Sequence, residues 1–80
     1  MTSKELKTIR TRLGLTQTVM ASLLGMNQHD YSRIETGYRN RKPTKHHTAQ
    51  VGMLEFIFKK GLLPELLEIY EKTVISILSR

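Results

Sequence analysis

Eighty residues make one domain with a thin core, and the absence of cysteine excludes disulfides, thiolate zinc sites and a cysteine nucleophile while leaving the redox compartment undetermined. The formal net charge of +6 is unevenly spread: residues 1–60 carry eleven Lys and Arg against four acids, whereas residues 61–80 carry two against three. A positive field over most of the chain attracts a polyanion, and on its own suits DNA, RNA or an anionic membrane surface.

Five helices and no strand are predicted. The first runs from about Ser3 to Arg12, with Ser3 as its cap, Leu6, Ile9 and Leu13 spaced to face a core, and Gly14 as a left-handed stop. The second runs from Thr16, its cap, to Leu24. Within it Val19 or Met20, Leu23 and Leu24 recur at helical spacing, and Ala21 is small where two helices would have to touch. Gly25 sits where the chain must reverse. The third helix runs from Asn27 to about Thr36 and stops at Gly37; it buries Tyr31 and Ile34 and leaves Gln28, His29, Ser32 and Arg33 outside. Asn27 followed by Asp30 resembles a capping box, which assigns Asp30 to the helix start rather than to a ligand.

Residues 37–44, Gly-Tyr-Arg-Asn-Arg-Lys-Pro-Thr, form a polar loop with three cations. Pro43 and Thr44 then announce a fourth helix, pinned by Val51, Leu54, Ile57 and Phe58 until Gly61. Met20, Met26 and Met53 are read as core or turn fillers. The last helix starts near Pro64. Leu66, Leu67, Tyr70, Val74, Ile77 and Leu78 cover about a third of its circumference, and Ile69 and Ile75 extend the apolar surface on either side. That is more than one small domain covers, so these eight residues are assigned to a dimer interface; the alternative is a helix packed only on its own core. The apolar runs are short of a membrane span and the N-terminus lacks the apolar core of a signal peptide, from which a cytoplasmic protein is expected.

Residues 16–37 therefore describe two short helices folded across a tight turn, a shape that fits a DNA major groove. Residues 3–58 resemble the Cro/CI-type (XRE-like) helix-turn-helix repressors of phages and bacteria. The likeness rests on Leu15-Thr16-Gln17, Ala21, Leu24-Gly25, Ser32, Ile34, Glu35 and Gly37, which fall on that family's pattern at its usual spacing. Tyr31 departs from it, since the family commonly has Val or Ile there; a tyrosine must be packed with its hydroxyl reaching the surface or be turned toward DNA.

The resemblance implies an all-α, five-helix repressor-like domain with the helix-turn-helix at helices 2 and 3. Four helices over residues 1–61 would form the core; residues 62–80 lie outside the resemblance and are expected to be the dimerisation element from their apolar surplus alone. The resemblance also implies that the third helix enters the major groove, so that Gln28, His29, Ser32 and Arg33 read bases. Gln17, Asn27, Thr36, Tyr38, Arg39, Arg41, Lys42 and Lys45 would hold the phosphates. Arg10 and Glu35 match positions that commonly form an ion pair between the first helix and the end of the third. The adjacent His46 and His47, without a nearby carboxylate or thiol, do not make a metal site and are read as extending the positive face. No nucleophile, base and orienting acid assemble, the glycines lack phosphate-loop spacing, and neither an enzyme nor a cofactor is expected.

The reading is a homodimeric transcriptional repressor on a pseudo-palindromic operator, with repression resting on analogy to compact family members. Two rivals remain: an antitoxin that binds a toxin as well as DNA, and a protein-binding adaptor that keeps only the shape.

Overall fold

The computed structural model describes the backbone of residues 1–78 and the side chains of residues 1–72. Five helices follow in order: α1 Ser3–Leu13, α2 Gln17–Leu23, α3 Gln28–Thr36, α4 Lys45–Lys59 and α5 Leu63–Leu78, with a single 3-10 turn at Tyr38–Asn40 between α3 and α4. There is no strand among the described residues, and no helix there is long and apolar enough to cross a membrane.

Small polar side chains start the first four helices by accepting an orphan backbone N–H three residues on. Thr16 accepts from Val19 at 3.2 Å and Asn27 from Asp30 at 2.8 Å. The cap of α1 is Thr2 rather than Ser3, because Glu5 stands three residues after Thr2 and closes the reciprocal box: Thr2 Oγ1 accepts from the Glu5 N–H, and Glu5 Oε1 from the Thr2 N–H. Ser3 is already helical, and its hydroxyl donates to the Arg41 carbonyl at 3.3 Å, tying the start of α1 to the basic loop. At α4 the same box is closed by His47, whose Nδ1 accepts from the Thr44 N–H at 3.2 Å. His47 is thus a capping residue of α4. The box expected at α3 is only half formed: the Asp30 carboxylate accepts from the Asn27 side-chain amide instead of its backbone.

A glycine follows each of the first four helices. Gly25, at φ +73°, reverses the chain between α2 and α3, and Met26 N–H then reaches back to the Ala21 carbonyl at 3.0 Å. The same backward bond recurs from Leu15 to Arg10 and from Leu62 to Ile57.

The core gathers Leu6 and Leu13 from α1, Leu15, Met20, Ala21 and Leu24 around α2, Tyr31 and Ile34 from α3, Val51 and Leu54 from α4, and Leu63 at the start of α5. α3 lies against both α1 and α2, with the nearly inaccessible Ala21 allowing close approach. Two apolar assignments on α4 are corrected. Met53 is 66% exposed because it stands two residues past Val51, roughly 200° round the helix from it. Phe58, 40% exposed, falls in the last turn, beyond the point where the core ends and Leu63 takes over. On α5, Leu66 and Leu67 are partly buried against this core, Tyr70 is half-buried and Ile69 is 62% exposed. The side chains of Val74, Ile75, Ile77 and Leu78 lie outside the described residues.

Candidate nucleic-acid interface

Beyond the core packing of Tyr31 and Ile34, a buried carboxylate ties α3 to its neighbours. Arg10 Nε and Nη2 donate to the two Glu35 oxygens, each at 2.9 Å, and Arg10 Nη1 donates to the Leu15 carbonyl at 2.9 Å. Gln17 Nε2 adds a third donor to Glu35 at 3.2 Å. One side chain at the end of α3 is thereby tied to α1, to the α1–α2 turn and to the first residue of α2. The side chains of Arg10 and Glu35 are 15% and 1% exposed, so the pair is screened little by solvent.

Burial works to push the Glu35 carboxyl up, but the donors of Arg10 and Gln17, with the Tyr31 hydroxyl close by, outweigh burial and hold it below the ordinary carboxylate value. The Arg10 guanidinium is pushed further up by its bond to Glu35. Tyr31 takes neither of the two positions expected for it. Its ring is wholly buried and its hydroxyl stays inside next to the Arg10–Glu35 pair, yet in hydrogen-bond geometry with no partner. Burial, with the negative charge of Glu35 beside it, pushes its ionisation well up.

On the outer side of α3, Gln28 and His29 are exposed and Ser32 and Arg33 half-buried. Gln28 Oε1 accepts from the Thr18 hydroxyl at 2.8 Å. His29 Nε2 stands 3.0 Å from Arg33 Nη2. Arg33 also lies 3.8 Å from Asp30 Oδ1 and 5.7 Å from the centre of the Tyr38 ring.

The ring of Tyr38 takes a second guanidinium, that of Arg39, at 5.3 Å. Asp30 is shared in the same way, with Arg41 Nη1 at 3.9 Å. The loop that carries these cations turns sharply: Arg39 and Asn40 both have left-handed backbone, at φ +51° and +62°, just after Gly37 at φ +74°. Lys42 and Lys45 are exposed beyond it.

The residues expected to bind DNA are therefore brought together along α3 and the loop that follows, with two differences of detail. The Gln17 amide is turned toward Glu35, and the Thr36 hydroxyl is spent on the Ser32 carbonyl at 3.0 Å. Thr18 is the residue that sequence reasoning passed over, for its contact with Gln28 depends on how α2 crosses α3 and has no signature in spacing.

A family model described as a helix-turn-helix domain matches residues 3–47, which takes in α1, both helices of the motif, the basic loop and the first residues of α4. No curated protein and no solved structure matches the chain.

Proposed function

We propose, on the premise that this chain belongs to the helix-turn-helix family typical of XRE-like DNA-binding regulators, that it is a sequence-specific transcriptional repressor acting on its operator as a homodimer. The observation that carries the reading is the face of α3. Gln28, His29, Ser32 and Arg33 stand side by side on a helix whose angle is held by Glu35, and Arg39, Arg41, Lys42 and Lys45 follow at once in the chain. Gln pairs a donor and an acceptor with adenine and Arg two donors with guanine, so the face carries groups suited to base edges. The cations beside it suit the phosphates, with Asn27 and Tyr38 at their margin.

A single reading head has little specificity. The exposed apolar side chains of Met53, Phe56, Leu62 and Ile69, with the partly buried Leu66, Leu67 and Tyr70, are the apolar surface a second copy would cover. Two copies would set their third helices into successive major grooves about 34 Å apart, and a bound dimer would occlude a promoter. Such a protein would work in the cytoplasm, on the nucleoid or in an infected host cell.

Selection of bound duplexes from a random pool tests the proposal. The expected product is an inverted repeat whose affinity falls steeply with salt. Recovery of unenriched sequence, or enrichment of a single asymmetric site, would refute respectively the sequence reading and the dimer.

A further inference from the structure

We propose that Thr18 is a positioning residue for base recognition, its hydroxyl holding the Gln28 side-chain amide in place for the base that Gln28 reads. The inference rests on the function proposed above and adds a residue to it.

The place of Thr18 in α2 is what frees its hydroxyl. Thr8, Thr11, Thr36 and Thr48 all donate to the carbonyl four residues earlier, at 2.9–3.0 Å, the usual use of a threonine hydroxyl in a helix. Four residues before Thr18 is Gly14, which precedes the Thr16 cap of α2, so no carbonyl of this helix stands there. The hydroxyl crosses the motif instead and donates to Gln28 Oε1 at 2.8 Å. Its neighbour Gln17 is drawn inward to Glu35, which leaves Thr18 as the α2 side chain bonded to the outer face of α3.

Gln28 is the first residue of α3 and is exposed, the situation in which a long amide side chain samples many rotamers. A carbonyl oxygen has two lone pairs, and Thr18 occupies one. The other lone pair and both Nε2 protons remain, so the donor and acceptor that adenine requires survive the contact. What changes is the ordering cost: a side chain already held need not be immobilised on binding.

The test compares the wild type with Thr18→Val, Thr18→Ser, Gln28→Ala and the Thr18→Val/Gln28→Ala double variant. Each is measured on the selected operator, on operators altered at the base pair where Gln28→Ala loses preference, and on random DNA, with melting temperature as a check on the fold. Thr18→Val is expected to bind the operator roughly 2- to 10-fold more weakly and to flatten preference at that one base pair. Thr18→Ser should restore both, and Thr18→Val should add nothing to Gln28→Ala. Should the valine variant melt early, Thr18→Ala takes its place in the cycle. An unchanged preference in Thr18→Val, a loss fully additive with Gln28→Ala, or an equal loss on random DNA would overturn the proposal while leaving the repressor reading intact. A wild type that selects no sequence would bring down both.

Discussion

Replacing Arg10 by Met tests whether the Glu35 cluster holds the reading helix at its angle. The methionine keeps much of the length of the arginine stem but withdraws two of the three side-chain donors from a carboxylate that is 1% exposed. Breaking a buried pair in this way costs about 3–5 kcal/mol, because the remaining charge is left without compensation. A domain of this size has on the order of 4–12 kcal/mol of stability, so the loss would be a large part of the whole. Urea unfolding followed by circular dichroism reads it as a lower midpoint at an unchanged slope. Arg10→Met combined with Glu35→Leu should recover much of the loss, since no buried charge is then stranded. The pH dependence follows from the depressed Glu35 carboxyl. Its contribution is present above the ordinary value of 4.5 and disappears as pH falls through the lower native value, so the wild type should lose stability in that acid range and Glu35→Gln should lose less. A cost for Arg10→Met of under about 1 kcal/mol, the size expected of an exposed pair, would refute the reasoning.

Arg33→Ala should weaken operator binding by about 1–3 kcal/mol and relax preference at one base pair; an equal loss on random DNA would remove Arg33 from the base-reading set. Arg41→Ala should weaken all sequences alike and reduce the salt slope by about 1, which titrations at several salt concentrations would show. Ile69→Glu, at a site 62% exposed, should give folded monomers with poor operator affinity, and sedimentation finding the wild type itself monomeric would defeat that expectation. Tyr31→Phe removes the hydroxyl beside the Glu35 carboxylate and should bring the Glu35 titration, followed by NMR, back up toward the ordinary carboxylate value; an unmoved titration would show that the hydroxyl does not act on Glu35. Because burial raises the Tyr31 ionisation, the wild type should also lose stability as pH climbs past the ordinary tyrosine value of 10.0, and the phenylalanine variant should lose less.

The helices and their order were legible because the signals that make them are local: a threonine or asparagine before each of the first four, a glycine after α1 and α3, and apolar residues at helical spacing between. Where the reading slipped, the deciding fact was one step less local. Ser3 and Thr2 are both good caps, and Glu5 decides between them. The 3-10 turn after Gly37 was hidden because its left-handed positions fall on Arg39 and Asn40 rather than on glycine. Phe58 has the right period for the core of α4 but lies past the end of that core, which periodicity cannot register.

The side chains of the α3 face divide along the same line. That Gln28, His29, Ser32 and Arg33 share a face follows from 3.6 residues per turn; what each one touches follows from the crossing of α2 over α3, which no spacing encodes. Two adjacent residues show the consequence. Polarity and place at the start of α2 put Gln17 on the DNA side in the sequence and gave Thr18 no role. The crossing turns Gln17 to Glu35 and Thr18 to Gln28, so one helps hold the helix and the other meets its outer face. Tyr31 belongs to the same account: with its hydroxyl lodged beside the Arg10–Glu35 pair, a residue that departs from the family pattern leaves α3 tied to α1. The departure therefore falls on the interior of the motif, and the four outward side chains of α3 are left as the face proposed to meet DNA.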